Sequence, residues 1–381
     1  MKNRERFAWV AMLCRVVLGA VFVFSGLTKG IDPWGTALKI REYLDAFGLA
    51  GFSSAAGALA VGQCVAELVV GLMLLCGTGL RLAGFIALLC MAFFTLLTLV
   101  IAVWNPVDDC GCFGDALRLS NWMTFAKNAV LLPMAAVVWR DAQRRRGWAL
   151  SRREAVRTGV FVLVALALNL YAWYGLPPVD GSAYRKGTDL RRDVLCTGCM
   201  DRAVVLVYED LQTGAQREFS LSDTTWYDTA RWRYVDTRTP YDDLPERARE
   251  YDFALWQDGT DRVAEVVYAS GTTVLVLVRD AEEVSGHCRE RIRTFARKAG
   301  AAGMRVACVV GAEQPEELPA GVGEELGIGV IYGMDRRLMA QLLRADAGAV
   351  KITDGVIADK RPCRTMEKLL ERALVEEAAE R

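Results

Sequence analysis

Two cysteines stand one residue apart in the segment "DDCGCFGD", as Cys110 and Cys112 on either side of Gly111. The Cα atoms of residues two apart reach disulfide distance, about 4.4–6.8 Å, only in a tight ring, and glycine supplies the backbone freedom that this ring demands. A ring this small closes almost no loop and would stabilise the fold little, whereas a strained disulfide is easily exchanged. The spacing therefore predicts thiol–disulfide exchange.

Two other interpretations of this pair stay open at the level of sequence. The thiols could be inert or form a local strut. They could also bind zinc, although a closed zinc site takes four ligands and the chain has a single histidine. Aspartates on both sides would raise the pKa of a thiol, whereas Lys127, about 8 Å below the outer membrane surface, could lower it. Lys127 is therefore the residue predicted to tune the pair.

A second close pair, Cys196 and Cys199 in "LCTGCMD", forms a CxxC motif in the polar half of the chain. This spacing serves both redox exchange and metal binding. A second CxxC that would complete a zinc site is missing from the sequence, which favours a disulfide or a redox pair. The residues that follow alternate as in a hairpin that turns at Thr213-Gly214. The pair is predicted as a relay for Cys110 and Cys112.

Five apolar segments are long enough, or nearly so, to cross a hydrocarbon core, which takes roughly 20 helical residues. They are Phe7–Leu27, Ser54–Cys76, Leu80–Trp104, Trp122–Trp139 and Val160–Leu176. The hydrophobic share of 53% is concentrated in them. The 46 basic and 46 acidic residues leave no net charge and give no reason to expect a nucleic-acid partner. The chain is predicted as a membrane half followed by a water-facing half.

Basic residues predict the orientation of these spans. Lys2, Arg4 and Arg6 precede the first span, and the loop between the fourth and fifth spans is rich in arginine. The positive-inside rule then places the amino terminus in the cytoplasm. An odd number of spans puts residues 177–381 outside the cytoplasm, on the same side as Cys110 and Cys112. Disulfides persist on that side.

Charged side chains inside the membrane are costly and mark a bundle interior or a functional path. Arg15 in the first span and Glu67 in the second fall about 12–14 Å from the cytoplasmic side. We expect them to pair across two antiparallel helices. The pair would either set the helix packing or take part in proton or quinone chemistry.

The water-facing half contains a strand–helix–strand order followed by a hairpin that turns at Asp354-Gly355 and by a terminal helix, Arg364–Ala379. This order is that of a thioredoxin fold. At the first helix, serine stands at position 285 where an attacking cysteine would be expected, and His287 is interpreted as a helix-start residue. The domain is therefore predicted to be a degenerate thioredoxin-like domain.

Residues 7–140 resemble the DoxX-like and MauE-like membrane proteins. The matching positions are Arg15 with Gly19, "FSGLTKG", Glu67 with Gly71, "CGCFGD" and Asn128. MauE-like proteins are associated with methylamine utilisation, through maturation of a disulfide-rich periplasmic enzyme. The resemblance therefore implies a four-helix membrane bundle and a redox-associated role. Residues 177–381 look like the thioredoxin-like extension of longer members.

The predicted fold is an α-helical membrane bundle with a fifth transmembrane helix, followed by an α/β thioredoxin-like domain. The expected boundaries are 1–140 for the DoxX/MauE-like domain, 141–177 for the basic loop and fifth helix, 178–265 for a β-rich segment with the CxxC, and 266–381 for the thioredoxin-like domain.

The predicted function is that of a multi-pass membrane thiol–disulfide oxidoreductase. Its partners would be the lipid bilayer and a periplasmic thiol/disulfide protein or client, and a quinone is the candidate cofactor. The alternative is a non-catalytic assembly or scaffolding factor with structural cysteines, which Ser285 favours. A transporter has only the Arg15/Glu67 pair in its support.

Overall fold

The structure is a computed structural model of the chain. It describes residues 2–107, 111–114, 117, 119–144, 148–239, 241, 244–249, 252–281, 284–312 and 321–370. Two compact units are present, residues 1–181 and residues 182–381.

The described residues of the first unit form helices joined by turns and loops, with no strand among them. Its helices are α1 (Lys2–Ile31), α2 (Pro33–Ala46), α3 (Ala56–Cys76), α4 (Leu80–Trp104), α5 (Asn121–Ala142) and α6 (Arg152–Tyr174). Among the described helices, five are long and apolar enough to cross a membrane, which confirms the number of spans. The first of them continues four residues beyond the predicted end at Leu27, so Lys29 lies inside the helix.

Helix α2 was not expected from the sequence. Asp32 caps it, since its side chain accepts a hydrogen bond from the backbone N–H of Gly35, and Pro33 occupies the first turn, where a missing N–H costs nothing. Trp34 is buried and stacks on Trp173 of α6, with ring centroids 4.4 Å apart. Helix α2 is thus held against the end of the bundle.

Helix α6 begins eight residues before the predicted start of the fifth span. Ser151 and Glu154 form a capping box at its first turn, a local signal that fixes the start of a helix. The same glutamate accepts a hydrogen bond of 3.0 Å from the backbone N–H of Gly79, in the turn between α3 and α4. The cap therefore also ties α6 to the bundle.

The second unit has two sheets in its described residues. The smaller contains β1 (Val205–Asp210), β2 (Gln216–Ser220) and β3 (Trp232–Arg238), with order β2-β1-β3 and antiparallel pairing. The expected hairpin is β1–β2. Leu206, Phe219 and Trp232 pack together on one face.

The larger sheet is mixed. Its strands are β4 (Trp256–Gln257), β5 (Thr260–Asp261), β6 (Thr272–Val278), β7 (Arg305–Ala312), β8 (Ile331–Asp335), β9 (Ala347–Thr353) and β10 (Val356–Pro362), in the order β10-β9-β6-β7-β8-β4-β5. Strands β6, β7 and β8 are parallel, and β9 pairs antiparallel with β6 and β10.

Helices of this unit are α7 (Met200–Ala203), α8 (Glu246–Arg249), α9 (Val263–Val267), α10 (Gly286–Ala301), α11 (Val322–Leu326) and α12 (Arg336–Leu342). Helix α10 links β6 to β7 and buries Ile292 and Phe295 against the sheet. The expected hairpin turns at Asp354 and Gly355, both with positive φ. The unit is a sheet-rich α/β domain. Most of the predicted terminal helix Arg364–Ala379 lies outside the described residues.

Candidate thiol site in the helix bundle

The described part of the CGC loop is a tight turn. Gly111 and Gly114 have φ of 59° and 55°, where glycine is favoured, and the N–H of Gly114 donates to the carbonyl of Gly111 at 3.1 Å. A side chain at position 111 would come within 2.8 Å of Lys39 Cγ on α2. The turn is therefore packed against α2. Cys110 lies outside the described residues.

The backbone of Cys112 enters the helix bundle. Its carbonyl accepts a hydrogen bond of 2.7 Å from Ser25 Oγ, six residues before the end of α1 and so about 9 Å along the helix axis. The next residue, Phe113, is buried, with its ring centroid 5.3 Å from that of Phe24. Non-helical backbone at membrane depth is tolerated only where protein covers it. We call this half-buried turn, in which the Phe113 side chain packs into the bundle, the inserted turn.

A buried ion pair lies directly below this turn. Lys29 Nζ is 2.7 and 3.0 Å from the two carboxylate oxygens of Glu67, and both residues are buried. Gln63 Nε2 donates to the same carboxylate at 2.9 Å, and Ser25 Oγ lies 2.6 Å from its second oxygen. The oxygens of a buried carboxylate need hydrogen-bond donors or cations as partners, and these three side chains supply them to Glu67.

Ser25 joins the ion pair to the thiol loop. Its hydroxyl has one proton and lies within hydrogen-bond distance of two acceptors, Glu67 and the Cys112 carbonyl. The ammonium of Lys29 also interacts electrostatically with the Cys112 thiol. A cation close to a thiol favours the thiolate, the form that attacks disulfides, whereas the Glu67 carboxylate beside Lys29 acts in the opposite direction.

The expected ion pair between Arg15 and Glu67 is wrong. Glu67 pairs with Lys29, whereas Arg15 lies beside Gly77, ten residues further along α3, with Nη1 3.5 Å from the position of a Cβ there. The depths inferred from the sequence were equal only on the assumption that the two spans end at the same level, whereas α1 begins at Lys2 and runs past the end of α3 at Cys76. The close contact of Gly71 with Val23 sets the register of the two helices.

Lys127 reaches the inserted turn at a different point. Its Nζ lies 4.3 Å from the ring centroid of Phe113, a cation–π distance. The tuning role expected for it stays a prediction, and Lys29 is a second candidate that the sequence did not suggest. The neighbouring Asp108, Asp109 and Asp115 lie outside the described residues.

Replacing Ser25 with alanine is expected to loosen the inserted turn. Losing a hydrogen bond to a buried carbonyl costs about 1 kcal/mol, which corresponds to about fivefold faster modification of Cys112 by a thiol reagent. Mass spectrometry of the labelled Cys112 peptide measures this rate. Thr28→Val is the matched control, since the Thr28 hydroxyl bonds carbonyls of its own helix. Equal labelling rates in the two variants would contradict the role of Ser25.

The CxxC forms a disulfide that solvent does not reach. Cys196 and Cys199 are bonded, with Cα atoms 5.2 Å apart, and neither has exposed surface. The Thr197 N–H donates to Asp252 at 2.6 Å, and Gly198 lies against Asp261. Burial raises the pKa of Asp261 above its usual range. The relay role expected for this pair stays a prediction, and it would require the segment to open.

A second disulfide joins Cys288, in the first turn of α10, to Cys363, directly after β10. It was not predicted from the sequence because 75 residues separate the two cysteines. Cys308 lies in the sheet core, where burial raises its thiol pKa to about 12 and makes it unreactive. In the described residues we find no cluster of three side chains suited to a metal ion.

Comparison with known proteins gives one match. Residues 7–140 match the family model described as Methylamine utilisation protein MauE. The match covers helices α1 to α4 and most of α5, and it includes the inserted turn and the Lys29–Glu67 pair. Neither a curated protein nor a solved structure matches the chain. Residues 7–140 are therefore similar to MauE, and the five apolar helices of the first unit point to a multi-pass membrane protein.

Proposed function

We propose that the chain is a membrane thiol–disulfide exchange protein that acts in the maturation of periplasmic proteins, with Cys110 and Cys112 as the exchanging pair. The observation that carries the proposal is the position of the Cys112 turn, whose backbone is hydrogen-bonded to helix α1. Ser25 Oγ lies 2.7 Å from the Cys112 carbonyl oxygen and 2.6 Å from the carboxylate of Glu67, which pairs with Lys29, so the turn is joined to a buried ion pair inside the bundle. Charged side chains in a membrane span are costly, and they mark a bundle interior or a functional path.

The chemistry is exchange through a mixed disulfide. A thiolate of the pair attacks one sulfur of a client disulfide, and the other client sulfur leaves as a thiolate. The second cysteine of the pair then attacks the mixed disulfide and releases the reduced client. Two electrons move from the CGC dithiol to the client, and the same steps in reverse oxidise a client dithiol. Ser25 and Glu67 act as positioning residues in this scheme.

The MauE match supports a role in methylamine utilisation, because that is the process its description names. The DoxX-like resemblance, the bacterial inner membrane, the cytoplasmic amino terminus and the periplasmic second unit belong to the same proposal. The strand–helix–strand order of β6, α10 and β7, followed by the β9–β10 hairpin, supports a thioredoxin-like domain over 266–381. In the direction that oxidises a client dithiol, a quinone is proposed as the electron acceptor that restores the disulfide of Cys110 and Cys112.

Single substitutions in the pair test the exchange directly. Cys110→Ala and Cys112→Ala are each expressed in cells, and non-reducing gels are searched for a trapped mixed disulfide. We expect a higher-mass, reductant-sensitive band with at least one variant. Once the remaining cysteine is bonded to a client, the second cysteine that would release the client is missing. Cys76→Ala, which alters an exposed cysteine at the end of α3, is the matched control and should trap nothing.

Thiol labelling of the wild-type protein in intact cells completes the test. The labelling of Cys110 and Cys112 should change with the redox state of the medium. If neither variant traps a partner and the labelling never changes, the exchange function fails.

A scaffolding factor with structural cysteines is the second candidate. The complete burial of the Cys196–Cys199 disulfide favours it, because a buried disulfide stabilises a fold without exchanging. Under this alternative, the variants of the pair keep full function in maturation, and no redox-dependent labelling is seen.

A further inference from the structure

We infer that the Cys288–Cys363 disulfide is a second exchange site, which accepts electrons from a dithiol on its own side of the membrane. It joins the amino-terminal turn of α10 to the residue that follows β10. This inference goes beyond the proposed function and does not depend on exchange at Cys110 and Cys112.

Accessibility separates this disulfide from the CxxC. Cys288 and Cys363 are each half-buried, and the residues just before Cys288, from Ser285 to His287, are exposed. Cys196 and Cys199 have no exposed surface. A thiolate must approach a sulfur atom to attack it, so the half-buried Cys288–Cys363 disulfide is the more accessible of the two.

Charge around the disulfide favours the departure of Cys288 as a thiolate. Cys288 lies in the first turn of a 16-residue helix, and its N–H donates to the capping Ser285 Oγ at 3.3 Å. The amino-terminal end of a helix stabilises a negative charge there. Arg291 of the same helix donates to the carbonyl of Arg364 at 2.6 Å, which holds the start of the helix against the segment that follows Cys363. The helix end lowers the barrier to attack on Cys363, with Cys288 as the leaving group.

The exchange moves two electrons from the client dithiol to the domain. One thiolate of the dithiol attacks Cys363 Sγ, the bond between the two cysteines breaks, and Cys288 leaves as a thiolate. The second thiolate of the dithiol attacks the mixed disulfide and releases Cys363. The client gains a disulfide, the domain gains two thiols, and the two protons of the dithiol end on Cys288 and Cys363.

Non-covalent contacts keep the two segments together when the bond is open. The Arg291 hydrogen bond spans them, and Arg289 anchors the start of α10 by donating to the Ala281 carbonyl at 2.9 Å. Val284 and Met366, which flank the disulfide in sequence, are both buried in the domain core. The reduced domain is therefore expected to stay folded, as repeated exchange requires.

The test uses the full chain in detergent, in a Cys110→Ala/Cys112→Ala background. Reduced glutathione is added without denaturant, and freed thiols are alkylated and quantified by mass spectrometry at each cysteine. We expect Cys288 and Cys363 to be freed at least tenfold faster than Cys196 and Cys199, with the circular dichroism spectrum unchanged. In a Cys288→Ser variant, oxidised glutathione should leave a stable glutathione adduct on Cys363.

Two outcomes would overturn the inference. One is that both disulfides open at the same rate, or that Cys288–Cys363 opens only with denaturant. The other is that Cys363 takes no glutathione in a folded Cys288→Ser protein. Because this background lacks the CGC pair, a failure of the Cys288–Cys363 test says nothing about Cys110 and Cys112, and a failure of exchange at the CGC pair leaves the glutathione result standing.

Discussion

Replacing Lys29 with methionine is expected to destabilise the helix bundle by about 3–5 kcal/mol, the cost of leaving one member of a buried ion pair without its partner. The carboxylate of Glu67 would keep only the neutral contacts with Gln63 and Ser25. In lipid, water does not reach the site to compensate, so the charge must be neutralised or the helices must separate. Denaturant titration of the protein in mixed micelles measures the loss.

A double variant, Lys29→Met/Glu67→Gln, makes the test specific to the ion pair. The glutamine keeps an oxygen for its neighbours and leaves no buried charge, so the double variant should be more stable than Lys29→Met alone. Lys127→Met is the matched control, because its cation–π contact with Phe113 is worth about 0.5–1 kcal/mol. If the two lysine variants lost equal stability, or if the double variant were no more stable than Lys29→Met, the ion pair would not be what stabilises the contact between α1 and α3.

The second large effect is expected from Gly71→Ala, which places a methyl group between α1 and α3. The added Cβ would lie 2.6 Å from the backbone nitrogen of Val23 and 3.0 Å from the carbonyl oxygen of Gly19. Backbone atoms cannot move aside as a flexible side chain can, so the helices must separate. Overpacking of this kind costs about 1–3 kcal/mol, and close helix contact through small residues is the main attraction between helices in lipid.

Gly62→Ala, on the same helix, is the matched control. The added methyl group meets no atom within 4 Å. Alanine is also more favourable than glycine in a helix, by up to about 1 kcal/mol. Gly62→Ala should therefore be neutral or stabilising in the same titration. Gly71→Ala should also increase labelling of Cys112, because displacing α3 withdraws Glu67 from Ser25. A Gly71→Ala protein as stable as Gly62→Ala would show that α1 and α3 leave room for a methyl group between them.

Both experiments bear on the proposed function through the same residues. Lys29 and Glu67 lie below the turn that carries Cys112, so loss of the pair should alter thiol reactivity together with stability. A variant that loses stability but keeps the Cys112 labelling rate would separate the structural role of the pair from its influence on the thiol.

The sequence by itself determined the local features of this protein. Runs of apolar residues specify the five membrane helices, because a helix in lipid satisfies its own backbone hydrogen bonds. Short apolar runs with glycine and aspartate between them specify the strands and the turn at Asp354-Gly355, since these signals act over a few neighbouring residues. The close cysteine pairs of the CGC and CxxC motifs could be found in the sequence because each lies within four consecutive residues.

Only the tertiary structure decided which distant residues meet. Glu67 pairs with Lys29 because the contact at Gly71 fixes the register of α1 against α3, and hydropathy carries no information about register. The same limit applies to the disulfide between Cys288 and Cys363, which the folding of β10 beside the start of α10 brings together across 75 residues. Contacts of this kind depend on packing between elements, which spacing along one element cannot reveal.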